Sequence, residues 1–387
     1  MIVEILFWLS VILIFHSYLL YPQVLKILSR NKKENSICHD HGSELPFVSI
    51  IMSVHNEEMV ISEKIRSIYY TLYPPDKFEV LVGSDNSTDG TNTICKVFTE
   101  NYTNFRFFPF TERQGKPSVV NQLKEKAKGE ILILTDAKVF FEITTITELV
   151  KHFKNPDIDI VGGNIRNQNS TPEGISIQEK AFMSREIMMK YMEGIIWGKT
   201  MGIYGAIYAI RKEAFIAVPP GYSVDDFFIT MNVLRNNRKV ILNLKANSLE
   251  NVPDELSAEF RRKVRISAGN FQNLKHFASC LWPPFSSLSF AFASHKVIRW
   301  IGPFLILLIL ILNIILALSS GFYCLLLCIQ ILLGILPLID LLLRKFKVQS
   351  VFLRFITHFY AMNFALLVGF FKYITGTKTN IWQPTRR

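Results

Sequence analysis

The chain has 387 residues, 49% of them hydrophobic and only 19% charged, with a mean hydropathy of +0.24 and a formal net charge of +11. So apolar a composition excludes a disordered or fibrous chain. The charge is no nucleic-acid footprint either: residues 1–25 carry −1 and residues 300–387 carry +7, which leaves +5 for the 274 residues between them.

The first predicted element is a membrane helix. No Asp, Glu, Lys or Arg occurs from Ile5 to Leu25, which suits one span at about 20 residues per crossing. It lacks a basic leading region and a small-residue cleavage site, so it reads as a retained anchor. Lys26, Arg30, Lys32 and Lys33 follow it and are expected on the cytoplasmic side.

From Phe47 the pattern alternates between strands and helices. Short β-branched or aromatic runs predict strands at Phe47–Val54, Phe78–Gly83, Phe105–Phe110 and Glu130–Thr135. Helices are expected between them at Glu57–Leu72, Asp89–Thr99 and Pro117–Ala127. Such alternation predicts an α/β fold with an open, mostly parallel sheet, whose ligands bind at the carboxyl ends of the strands. Beyond Gly162 come a Met-rich helix (Ile175–Met192), a Gly-rich segment (Gly194–Gly205), an acidic turn (Val224-Asp225-Asp226) and a basic helix (Glu259–Leu274).

A second charge-free run, Trp300–Ile339, predicts two spans turning at Ser319-Ser320-Gly321, with Arg344, Lys345 and Lys347 back on the cytoplasmic side. A third, Phe355–Phe371, contains Thr357, His358 and Asn363, and the basic tail behind it favours an interfacial helix. The five cysteines show no metal-ligand or redox spacing and the eight histidines form no metal-like cluster, which fits a reducing compartment.

Several polar groups fall at strand ends. Ser53-Val54-His55-Asn56-Glu57-Glu58 closes the first strand, where a helix N-cap is the simplest reading. The second strand ends in Ser84-Asp85-Asn86-Ser87-Thr88-Asp89-Gly90-Thr91, and a cap does not explain Asp85 at its tip. Arg113-Gln114-Gly115-Lys116 places two cations around a glycine at a helix start, which suits a phosphate-bearing ligand or a solvated loop. The fourth strand runs into Thr135-Asp136. Two carboxylates at neighbouring strand ends, with cations between them, make a candidate site.

In that order, His55-Asn-Glu-Glu, Ser84-Asp-Asn-Ser-Thr-Asp-Gly-Thr, Arg113-Gln-Gly-Lys, Thr135-Asp-Ala and Val224-Asp-Asp resemble the motifs of family 2 glycosyltransferases. The closer resemblance is to the membrane-bound branch with cellulose, hyaluronan and poly-N-acetylglucosamine synthases. It implies a GT-A-like sheet domain over residues 46–255, behind an anchor at 1–25. Interfacial helices would follow at 256–297, a transmembrane hairpin at 298–343, and a membrane or interfacial helix with a cytoplasmic tail at 350–387.

The same resemblance implies that Asp226 is the general base, with Asp225 as its supporting neighbour. It implies that His55, Glu57, Asp85, Arg113, Lys116, Asp136, Lys138, Arg262 and Arg265 bind the donor. Trp197, Tyr204 and Gly205 fall on the acceptor side. Asp136 would hold Mg²⁺ or Mn²⁺, but Lys138 stands where the family has a second metal-binding carboxylate, which leaves metal dependence open. Arg262 and Ile266 replace the Gln and Trp of the family's Q-x-x-R-W segment, which leaves processivity open as well. Trp382-Gln-Pro-Thr-Arg386 is loosely similar to a Trp-Gly-Thr-Arg segment of some synthases.

The implied activity is inverting transfer of a sugar from a nucleotide-sugar, UDP-linked in the simplest case. The acceptor would be a growing polysaccharide or a lipid-linked glycan. The bilayer and other polysaccharide-assembly proteins are the expected partners, and the plasma (inner) membrane is the expected location. Single-sugar transfer to a polyprenyl phosphate or glycolipid, and a catalytically silent nucleotide-sugar-binding subunit, are the alternatives.

Overall fold

The apolar runs that begin at Phe47 assemble into one eight-stranded sheet. In the computed structural model, which describes residues 1–39, 44–167, 176–250, 256–346 and 350–376, the chain divides into two units. The sheet belongs to the unit formed by Leu28–Ser170 and Arg185–Val252.

Its strands are β1 (Val48–Val54), β2 (Phe78–Asp85), β3 (Phe105–Phe110), β4 (Ile131–Thr135), β5 (Val139–Phe141), β6 (Ile158–Asn167), β7 (Ile207–Arg211) and β8 (Lys239–Glu250), in the order β3-β2-β1-β4-β7-β6-β8-β5. The first four neighbours are parallel, as the alternating pattern predicts. Beyond them the sheet is mixed: β7 runs antiparallel to both β4 and β6, while β6 and β8 pair in parallel and β5 closes the edge antiparallel to β8. β1, β2 and β4 are buried along nearly their whole length, consistent with their continuous apolar runs. The outcome is the GT-A-like α/β arrangement that the resemblance implies.

Local chemistry accounts for two shifted boundaries. The helix expected from Glu57 starts only at Ile61, because Asn56 takes the left-handed conformation (φ +53°) and residues 56–58 bond to the loop after β2. The Met-rich helix runs on to Trp197 and stops where Gly198 adopts φ +64°.

The other unit comprises Met1–Ile27, Thr171–Ser184 and Pro253–Thr377. Three of its helices, Ile2–Ser29, Gly321–Lys345 and Val351–Thr375, are long and apolar enough to cross a membrane. The helices Gly302–Ala317 and Gly321–Lys345 are separated by a break at residues 318–320. The first of them has only 16 residues and bends by 64° against the preceding Ser287–Trp300. The segment expected in the interface forms one 25-residue helix, because Arg354 and Lys372, which bound the charge-free run, continue the helix without breaking it. The Trp382–Arg386 segment lies outside the described residues.

Candidate active site

The carboxyl ends of β1, β2 and β4 meet the start of β7, and the predicted polar groups collect there. At β1, the His55 Nδ1 lies 2.7 Å from the carbonyl oxygen of Asp85. The left-handed Asn56 accepts from the Thr88 N–H through Oδ1 at 2.8 Å, which ties the first motif to the second. Glu57 is buried, and its carboxylate lies 3.4 Å from the Lys138 Nζ. Burial raises the Glu57 pKa despite that lysine.

Asp85 is buried at the tip of β2, and its carboxylate accepts the N–H groups of Gln114 (2.6 Å) and Gly115 (2.9 Å). It therefore holds the Arg113–Lys116 loop, with the Arg113 Nε 3.8 Å away. Gly115 makes the loop feasible, because φ +84° lets the chain turn into the helix that begins at Lys116.

Lys116 is the centre of the cluster. Its ammonium donates to Asp136 Oδ1 at 2.7 Å and to the Gly205 carbonyl at 3.4 Å. Burial opposes its charge, but Asp136, Asp225 and Asp226 together raise its pKa above the ordinary lysine value. Asp226 sits in the first turn of the helix Asp225–Arg235 and accepts N–H donors from Gly205 (2.8 Å) and Phe227 (2.8 Å). Burial first, then the charge of Asp225, raises the Asp226 pKa, while Lys190 and Lys116 pull it down. Tyr204 stacks beneath Lys190, whose Nζ is 3.6 Å from the ring centroid.

Gly205 leaves no room for a side chain, since a Cβ there would stand 3.0 Å from Asp226 Oδ2. Gly205→Ala is expected to displace that carboxylate and lower kcat about tenfold or more with little change in Tm. Steady-state kinetics beside thermal melting would check this.

The structure thus brings His55, Glu57, Asp85, Arg113, Lys116, Asp136, Lys138, Tyr204, Gly205, Asp225 and Asp226 to one region of one unit. Trp197 ends the helix Ser176–Trp197 in the same unit. Arg262 and Arg265 lie on Leu256–His276 in the other unit, and Arg262 pairs with Glu259 (2.8 Å) and Glu179 (3.2 Å). Sequence reasoning missed Lys190 and Lys64, both buried. Lys190 was hidden in a methionine-rich helix that reads as core filler.

Among the described residues, no group of three His, Cys, Asp or Glu side chains converges as a metal cage. The half-exposed Asp136 carboxylate nevertheless suits an ion that is bound by one protein carboxylate and the phosphates of a ligand.

The sequence profile described as Glycosyl transferase family 2 matches residues 49–218, and that of Glycosyl transferase family group 2 matches residues 134–339. The glycosyltransferase AglE of Haloferax volcanii is 31% identical over 148 residues, 38% of this chain and 48% of that protein. The probable glycosyltransferase YdaM of Bacillus subtilis is 26% identical over 242 residues, 60% of this chain and 57% of that protein. The chain thus spans about half the length of these curated relatives. A mannosyltransferase from Pyrobaculum calidifontis, solved with GDP-Man and Mn²⁺, shares the fold with a TM-score of 0.71, 22% identity, and coverage of 95% of this chain and 99% of that one.

Proposed function

Because the chain belongs to the family 2 group of glycosyl transferases, which use nucleotide-sugar donors, we propose that it is a membrane-bound, inverting hexosyltransferase acting on a UDP-linked sugar. The acceptor is a hydroxyl of a growing polysaccharide or a lipid-linked glycan. The catalytic unit faces the cytoplasm at the plasma membrane, on the side of the basic residues that flank the apolar helices.

One observation carries the reading: Asp226, fixed by two N–H groups, lies with Asp225 within the electrostatic reach of the Lys116 ammonium, which bonds Asp136 at 2.7 Å. Asp226 takes the proton of the acceptor hydroxyl, whose oxygen attacks the anomeric carbon. The bond from that carbon to the diphosphate oxygen breaks, its electron pair leaves with the nucleoside diphosphate, and the anomeric centre inverts. Lys116 and Lys138 offset the charge that develops on the leaving group, with Arg113 beside them. His55, Glu57 and Asp85 shape the nucleoside end, Asp85 by holding the Arg113–Lys116 loop. Tyr204 and Gly205 border the acceptor, and Trp197 offers a face for a sugar. Arg262 and Arg265 are assigned to the diphosphate by motif position alone. A Mg²⁺ or Mn²⁺ ion entering with the donor and held by Asp136 would add charge neutralisation at the leaving oxygens.

The pH dependence follows from the base. Asp226 works as a carboxylate, so its raised pKa moves the acid limb of kcat/KM above the ordinary carboxylate range. Lys190→Met removes a cation that favours the charged form and is expected to move that limb to higher pH. Asp225→Asn removes a like charge and should move it lower. A pH profile of both variants against the wild type tests the pair.

The function is tested by nucleoside diphosphate release from the purified chain in lipid nanodiscs. The panel should include UDP- and GDP-linked sugars, with Mg²⁺, Mn²⁺ or chelator and with membrane-lipid acceptors. Release from at least one donor is expected. Release from none of them would count against the proposal.

A further inference from the structure

The helix Ile61–Tyr69 buries Ile61, Ile65 and Ile68 at 0% exposure, the i, i+4, i+7 stripe that an amphipathic helix turns to its core. Lys64 falls at i+3 of the same stripe and is also 0% exposed. A lysine in this position is costly, because burial drives its ammonium toward the neutral form and the charge of Asp136 works against that.

Its contacts show what the amine holds. Nζ donates to Thr135 Oγ1 at 2.9 Å and to the Val139 carbonyl, and it stands 3.6 Å from the centroid of the Phe141 ring. Thr135 is the last residue of β4 and Val139 the first of β5. One amine nitrogen therefore grips both ends of the turn Asp136-Ala137-Lys138, with an N–H on each oxygen and the ring face beside it. The turn has further ties: Asp136 N donates to the Ala206 carbonyl at 3.1 Å, and Val139 N to the Asp136 carbonyl at 3.3 Å. The first of these joins the turn to the segment that carries Gly205.

We propose that Lys64 is a positioning residue for glycosyl transfer: its buried amine clamps the β4–β5 turn from beneath, fixing where Asp136 and Lys138 meet the donor diphosphate. This inference rests on the transferase reading above. Lys64 itself touches neither donor nor acceptor. An apolar side chain could fill the same space, whereas the Lys64 amine bonds both oxygens and so fixes the turn that carries Asp136 and Lys138. A turn held in place keeps Asp136 and Lys138 aligned with the charge that develops as the diphosphate leaves, and so acts on kcat more than on donor affinity.

The test compares Lys64→Met and Thr135→Val with the wild type in nucleoside diphosphate release, donor KM and Tm. Methionine is similar in length and removes the cost of burying the amine, so Tm should stay within about 3 °C of the wild type or rise. For Lys64→Met, kcat is expected to fall at least about thirtyfold with donor KM changed less than about threefold. Thr135→Val, which removes one of the two clamped oxygens, should show a smaller loss of the same kind. The double variant should lose little more than Lys64→Met alone. A folded Lys64→Met enzyme with kcat within about threefold of wild type would overturn the proposal, as would a kcat loss that only follows a lowered Tm. Absence of turnover by the wild type on any sugar nucleotide would instead refute the transferase reading, which separates the two failures.

Discussion

Asp226→Asn is expected to lower sugar transfer by about a thousandfold or more while leaving donor affinity within about threefold, since general-base removal typically costs that order of rate. The substitution is nearly isosteric. Its amide oxygen keeps one of the two N–H groups that fix the native carboxylate, Gly205 on Oδ2 and Phe227 on Oδ1 at 2.8 Å each, and loses the other. What disappears is the lone pair able to take the acceptor proton. Donor binding is expected to survive because Lys116 keeps its 2.7 Å bond to Asp136. Initial rates at saturating donor, set beside equilibrium donor binding, separate the two quantities. Transfer at the wild-type rate would remove Asp226 from the base role.

Lys116→Met is expected to reduce kcat/KM by about a hundredfold to a thousandfold, the scale on which a preorganised charge at a developing anion acts. The charges of three carboxylates, Asp136, Asp225 and Asp226, act on this one ammonium, and Asp136 bonds it. Without it they repel one another, so the Asp226 pKa rises further and the acid limb of the rate profile moves up as well. Lys116→Arg should restore only part of the activity, because a planar guanidinium cannot reproduce a point charge between these groups. Kinetics of the two variants across pH, with melting curves to confirm folding, check the expectation. A Lys116→Met enzyme with wild-type kcat/KM would show that the ammonium has no part in offsetting the diphosphate.

Much of this arrangement is legible in the sequence where one local rule dominates. The parallel strands β1 to β4 announce themselves as short apolar runs between helices, and the polar groups at their ends follow from the topology of a parallel sheet. The antiparallel insertion of β7 between β4 and β6 does not, because Ile207–Arg211 is five residues of ordinary apolar strand whose direction only tertiary pairing decides. The boundary of the helix after β1 was hidden for a related reason. Residues 56–58 look like a helix start, yet their hydrogen-bonding capacity is taken up by the loop after β2.

The site shows the same division. Lys116, Asp136 and Asp226 stand out as polar residues at element ends. Lys64 and Lys190 are lysines within helices, where a solvated face is the usual reading. For Lys64 the signal was present: it interrupts the Ile61, Ile65, Ile68 stripe at a core position. At the C-terminus, counting charge-free residues truncated Val351–Thr375 at Arg354 and Lys372, although lysine and arginine are good helix formers.

The proposed direct displacement by an Asp226-activated hydroxyl would invert the anomeric centre, and the anomeric configuration of the product tests that account most directly. The product formed from an α-linked donor by the wild-type chain can be read by proton NMR from the coupling at the anomeric hydrogen. The β-anomer is the expected product. An α-linked product would contradict single displacement and the role given to Asp226.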